Sequence, residues 1–234
     1  MTATALPRTV PAPLGAQRAA GLLLLLQFVL MGTAFGVLAT SIDWPQSLGD
    51  PASVALPRLL ANSGAVALGY GAYLLSALAM IPLAVMLRDT LEMTGTLGRL
   101  AVAFGTIAGL AKALGIIRWH VLMPGLAAQY EAGDAATRAA VSVVYEAFNA
   151  YAGGIGEVLG VALFSALWTV TLAVALHRAG ARRLAWVAAA SAVLLLVTIA
   201  DRFGVDMGPV LTVSGIAWQF VLAAIGIRHL RSAR

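Results

Sequence analysis

The sequence predicts an all-α integral membrane bundle of six transmembrane helices, with an extra amphipathic helix on the outer face before the fourth span. Three observations carry that prediction. Of 234 residues, 61% are hydrophobic and only 11% charged, where a soluble domain has roughly a quarter charged; mean hydropathy is +0.91. The apolar residues gather into six windows, each near the ~20 residues a helix needs to cross about 30 Å of hydrocarbon. None of the windows shows the alternation of an outer-membrane barrel. Residues 1–18 read as a cytoplasmic N-terminal tail and residues 19–232 as one six-helix transmembrane domain.

The first window, residues 19–39, follows a tail rich in Thr, Pro and Ala that carries Arg8 and Arg18. It is longer than the apolar core of about 7 to 15 residues in a cleaved signal peptide, so it reads as a retained span. The connection 40–64 contains Pro45, Pro51 and Pro57, which predicts an extended or turn-rich cap. The second and third windows are residues 65–87 and 100–124, the third interrupted by charges. Within the connection 129–153, Asp134 is placed to N-cap a helix whose Ala140, Val144, Phe148 and Tyr151 recur at helical spacing. That helix is expected to lie on or rise from the outer surface and feed the fourth window, residues 154–176, with a break at Gly153-Gly154. Residues 184–200 and 210–230 complete the six.

Small residues four apart, Gly32 and Gly36, Gly105 and Gly109, Gly156 and Gly160, mark expected close contacts, because helices in lipid associate through tight packing. The same faces offer a route to oligomers. No residue-level repeat relates the two halves.

Charge placement sets the orientation. The basic residues are 14 Arg and one Lys. Arg8, Arg18, Arg88, Arg99, Arg178, Arg182, Arg183, Arg228, Arg231 and Arg234 flank one side and Arg58, Arg138 and Arg202 the other, so ten against three puts both termini in the cytoplasm of a bacterium, with the protein in the inner membrane. The basic pI of 10.2 arises from these scattered flanks rather than from a basic face, which excludes nucleic acid as a partner; the partner is the lipid bilayer. With no cysteine there is no disulfide, thiolate metal site or Cys nucleophile. HExxH, phosphate-loop and GxSxG motifs are absent.

Ionisable groups inside spans are a functional hypothesis by default. Arg118 lies roughly 9 Å before Pro124 and Glu157 about 5 Å past Gly154 at 1.5 Å per residue, so their depths match near the outer surface. Adjacent antiparallel helices would join them in a salt bridge. Glu146, Asn149 and Tyr151 fall at the mouth of the pocket that Arg118 and Glu157 would floor; a structural ion pair beside a solvated helix face is the other reading. Lys112 sits 12 residues from each end of the third window, too deep to snorkel easily. Ser76, Ser165, Ser191 and Gln219 share its layer, so serines and backbone carbonyls are its expected partners, and an anion or a carboxylate-bearing amphiphile its candidate ligand. His120 beside Trp119 is at interface depth. His177 and His229, each next to an Arg, read as solvated helix ends at the wrong depth to join His120 in a haem or metal site. No cofactor or metal is expected.

The strings Gly115-Ile-Ile-Arg118-Trp119-His-Val-Leu-Met-Pro124 and Tyr151-Ala-Gly-Gly-Ile-Gly156-Glu157-Val-Leu-Gly160, followed by Leu167-Trp168-Thr169, resemble a family of bacterial six-pass membrane proteins labelled domain of unknown function 4386. Its members carry an Arg-Trp pair ending the third helix, a Pro a few residues later and a Gly-Glu pair opening the fourth; Arg118, Trp119, Pro124, Gly156 and Glu157 match. The resemblance implies a six-helix fold and no established activity. The residues favour binding or movement of a small anionic or amphipathic ligand near the outer leaflet, with Lys112, Arg118, His120, Glu146, Asn149, Tyr151 and Glu157 as candidate contacts. Two alternatives stand beside it: a membrane-embedded enzyme using Glu157 or His120 as acid or base, and a non-catalytic membrane partner subunit.

Overall fold

The computed structural model describes residues 13–205 and 207–233. Most of the tail 1–18, including Arg8, lies outside the described residues, as do Asp206 and Arg234. Helix α1 spans Leu14–Ile42, α2 Ala52–Ala61, α3 Ser63–Thr90 and α4 Gly95–Ile116. Helix α4 runs on through α5 (Arg118–Val121) and α6 (Met123–Ala132), because the junction residues Ile117 and Leu122 keep right-handed helical angles. Helix α7 (Ala135–Gly154) passes into a π-helical segment, Ile155–Phe164, and then α8 (Ser165–Arg178); α9 (Arg182–Val197) and α10 (Gly208–Ser232) follow. No strand occurs among the described residues.

Among the described residues, six continuous helical stretches are long and apolar enough to cross a membrane: Leu14–Ile42, Ser63–Thr90, Gly95–Ala132, Ala135–Arg178, Arg182–Phe203 and Gly208–Ser232. The protein is an all-α, multi-pass membrane protein. The third and fourth stretches, 38 and 44 residues, are roughly 57 and 66 Å long at 1.5 Å per residue, about twice the hydrocarbon thickness. They therefore overshoot their neighbours.

Hydrogen bonds fix which ends lie together. Arg18 donates to the Ala233 carbonyl at 3.1 Å, Arg228 to the Ala179 carbonyl in the α8–α9 turn at 3.4 Å, and the Thr90 hydroxyl is 3.0 Å from His229 Nε2. This is the terminal end of the bundle. His229 is only 2% exposed, which corrects the solvated helix end expected for it: α3 runs on to Thr90, beyond its apolar window, and covers the ring. His177 is exposed.

At the far end the overshooting α6 and α7 pack on α2 to form a helical cap. Asp134 caps α7, accepting from the Thr137 amide at 2.9 Å, and that bond holds its carboxyl below the usual carboxylate range. The connection 40–64 is more ordered than its prolines suggested. Pro51 precedes α2, and Ala52, Ala55, Leu56 and Leu59 are buried at i, i+3, i+4, i+7, a helical period that outweighs Pro57 inside the helix. The break expected at Gly153-Gly154 is replaced by an unbroken passage into π-helical turns.

Two apolar clusters fill the bundle. One, around Leu83, Trp168, Leu172, Leu195 and Trp218, lies toward the terminal end; the other, around Leu38, Leu56, Tyr70, Trp119, Met123 and Tyr145, belongs to the far end and its cap. The expected glycine contacts form at two of three pairs. A Cβ on Gly105 would meet Ala84 at 2.6 Å, one on Gly109 the Ala77 carbonyl at 2.8 Å, and one on Gly160 Lys112 at 2.8 Å. Gly32 and Gly36 have nothing within 4 Å; α1 turns that face away from its neighbours. An unanticipated contact closes the bundle, where a Cβ on Gly21 of α1 would stand 2.9 Å from the Gly226 carbonyl of α10.

Candidate functional site

Within the far-end cluster, a cleft of about 50 Å³ runs between α3, the α4–α5 junction and the π-helical segment, bordered by Trp44 and Leu48. Since a water needs roughly 10–15 Å³ of such space, it has room for about three to five. Its charged lining is Lys112, Arg118 and Glu157. Its walls are aromatic: Tyr70 stacks on Trp119 with centroids 4.6 Å apart and rings 4° from parallel, and Tyr73 meets Trp44 edge-on at 6.0 Å.

Close backbone approach makes this arrangement. A Cβ on Gly115 would stand 2.7 Å from Gly156 Cα, so only glycine lets α4 and the π-helical segment lie this near. Arg118, 7% exposed, then bends one Nη back to the Gly115 carbonyl and donates the other to Asn149 Oδ1 at 3.2 Å. Asn149 in turn donates to the Leu48 carbonyl at 2.8 Å, which ties the guanidinium to the cap. Arg118 Nε and the Tyr70 hydroxyl are both buried without a hydrogen-bond partner.

The expected Arg118 to Glu157 salt bridge does not form. Glu157 Oε2 instead accepts from Arg202 at 2.8 Å, on the 3₁₀ helix Thr198–Phe203. The depths agree, since a Cβ on Gly153 would lie 3.3 Å from an Arg118 Nη and 3.7 Å from Glu157 Oε1. What differs is the partner: Glu157 stands in π-helical turns, which bond i to i+5, and its carboxylate reaches Arg202.

Lys112 also differs from expectation. Its ammonium lies 4.0 Å from the Trp218 ring centroid and 3.5 Å from Met80 Sδ, not on serines. Ser165 is occupied with the Gly160 carbonyl at 2.7 Å, and Ser191 Oγ is buried with no partner. Gly160 seats the π-helical segment on the lysine stem, so the ammonium turns toward α10. There Trp218 Nε1 donates to Thr169 Oγ1 at 2.7 Å, which fixes the ring face.

Of the other candidates, Asn149 touches Arg118 as described, whereas His120 is half-buried outside the cleft lining, its Nε2 unpartnered. Glu146 is exposed and Tyr151 is 72% exposed, both away from the cleft. Sequence reasoning missed Trp44, Tyr70, Tyr73 and Arg202. Tyr70 and Tyr73, one turn apart in an otherwise aliphatic window, were the available signal. Among the described residues no group of three or more His, Cys, Asp or Glu is placed to hold a metal.

The residues that bring the cleft together, Gly115, Arg118, Trp119, Gly156 and Glu157, are those of the two motif strings. A family model described as Domain of unknown function (DUF4386) matches residues 19–224. The chain belongs to that family. No curated protein and no solved structure matches it. In this DUF4386 protein the cleft lining carries unpartnered donors at Arg118 Nε and the Tyr70 hydroxyl and at Glu157 Oε1 an acceptor that Arg202 does not engage, while the Lys112 ammonium turns away toward Trp218. The Arg118 guanidinium, set among aromatic walls, can recognise an anionic group by charge-assisted hydrogen bonds.

Proposed function

We propose that this DUF4386 protein binds or moves a small anionic or amphipathic ligand, whose acidic group enters the far-end cleft and sits against Arg118. The far end then faces the outer leaflet of a bacterial inner membrane, with both termini in the cytoplasm, as the arginine distribution favours. The observation that carries the reading is a guanidinium 7% exposed with no carboxylate partner and an unpartnered Nε, lining one cleft with Tyr70, whose hydroxyl is also unpartnered. Buried polar groups are normally satisfied, and an oxyanion supplies the acceptor that these donors lack. The enzyme alternative draws less support, because His120, its other acid–base candidate, stands outside the cleft that Glu157 lines.

The test is thermal unfolding of the purified full chain in detergent with acetate, phosphate or decanoate. At least one should raise the melting temperature in proportion to its concentration, and Arg118→Gln should abolish that rise while Arg138→Gln, on the exposed cap, keeps it. No stabilisation by any anion, or stabilisation that survives Arg118→Gln, contradicts the proposal. It would favour the partner-subunit alternative, in which these groups only lock helices together.

A further inference from the structure

We infer that the ligand is a zwitterion, its acidic group held by Arg118 and its ammonium by Glu157. The inference rests on the anion-binding reading above and adds a second pole to it. The two opposite charges line the same cleft yet form no salt bridge, and both come near one point, the Gly153 Cβ position, 3.3 Å from an Arg118 Nη and 3.7 Å from Glu157 Oε1. A bridge of a few atoms spans the distance between them.

Glu157 divides its two oxygens between two tasks. Oε2 takes Arg202 at 2.8 Å, while Oε1 is the atom that approaches Gly153 at 3.7 Å from its Cβ position and carries no protein hydrogen bond. The ion pair with Arg202 is partly exposed, 46% and 35% for the two side chains, so it is weak and leaves the carboxylate able to accept a ligand donor. Arg118 is held by Gly115 and Asn149, with an Nη 3.3 Å from the same Gly153 Cβ position. The Trp44 and Tyr73 rings complete the wall; aromatic faces attract ammonium groups. Space for about three to five waters, each occupying roughly 30 Å³ of liquid, corresponds to a molecule of only some five to eight heavy atoms. An α-amino acid of minimal side chain has that size, and so does the exposed end of an ethanolamine phosphate headgroup.

The experiment compares glycine, glycolate and acetate, which share a carboxylate and differ in carrying an ammonium, a hydroxyl or neither. Binding to the purified full chain in nanodiscs is followed by saturation-transfer NMR, with Kd from titration. Glycine should bind at least about tenfold tighter than acetate. Glu157→Gln should erase that preference while retaining acetate, and Arg202→Gln should keep it. Acetate bound as tightly as glycine, with Arg118→Gln losing both, leaves the anion reading intact and overturns the zwitterion; no binding by any of the three overturns both. Discs of phosphatidylethanolamine and of phosphatidylglycerol separate the sources. Loss of glycine binding only in the former supports the inference and assigns the zwitterion to a lipid headgroup. Equal glycine binding in the two supports it and assigns a soluble one.

Discussion

Lys112 holds its ammonium 4.0 Å from the centre of the Trp218 ring, with the Met80 sulfur at 3.5 Å and no carboxylate in ion-pair reach. A charge so placed, 5% exposed, is poorly compensated for its lost hydration, and exchanging it for an apolar side chain of similar length removes that cost. Lys112→Met should therefore melt at or above the wild-type temperature in detergent. Trp218→Leu should melt lower, because it leaves a void in the terminal-end cluster and removes the bond to Thr169. A Lys112→Met chain that unfolds well below wild type would show that the lysine has a compensating partner.

The glycine contact between α4 and the π-helical segment gives a sharper test. In Gly115→Ala the new methyl meets backbone on both sides, Gly156 Cα at 2.7 Å and the Ala152 carbonyl at 3.0 Å, so neither can yield cheaply. Overpacking of this kind costs about 1–3 kcal/mol and should open the cleft. Gly32→Ala, with nothing within 4 Å, should be neutral or stabilise by about 0.5–1 kcal/mol through helix propensity. Equal melting temperatures for the two variants would contradict the close approach.

Asp134 supplies a pH dependence. Its folded carboxyl titrates below the ordinary value because the Thr137 amide favours the charged form. The cap therefore contributes fully above the unfolded carboxylate pKa and is lost as pH falls through the lower folded one. Hydrogen exchange at the first turn of α7 should speed up on acidification through that window more than intrinsic exchange explains, whereas Asp134→Asn, which caps without titrating, should show no such step.

Orientation is open to a direct assay. A reporter active only outside the cytoplasm should be silent when fused after Arg234 and active when inserted at Gly133-Asp134, the turn between α6 and α7. The reverse pattern would place the cleft on the cytoplasmic face.

Six spans, their order and the Asp134 cap were legible because length, hydropathy and a capping side chain act locally. Depth was legible too: Arg118 and Glu157 do reach one cleft. The partner was not. Nothing in Ile155–Phe164 announces π-helical turns, or that Glu157 meets Arg202 rather than Arg118. His229 escaped for a related reason, since its burial depends on where α3 stops, and helix ends are set by packing beyond the apolar window. The aromatic walls were hidden by their ordinary role, as Tyr and Trp near a span end read as interface anchors until tertiary structure turns them inward.

The central claim, that Arg118 is kept unpaired to receive an acidic group, is tested most directly by a high-resolution cryo-EM map of the full chain purified in nanodiscs. Non-protein density in hydrogen-bond reach of Arg118 Nε and the Tyr70 hydroxyl, with Glu157 still on Arg202, is the result expected. An Arg118 side chain swung onto Glu157, with the cleft closed around the pair, would contradict it.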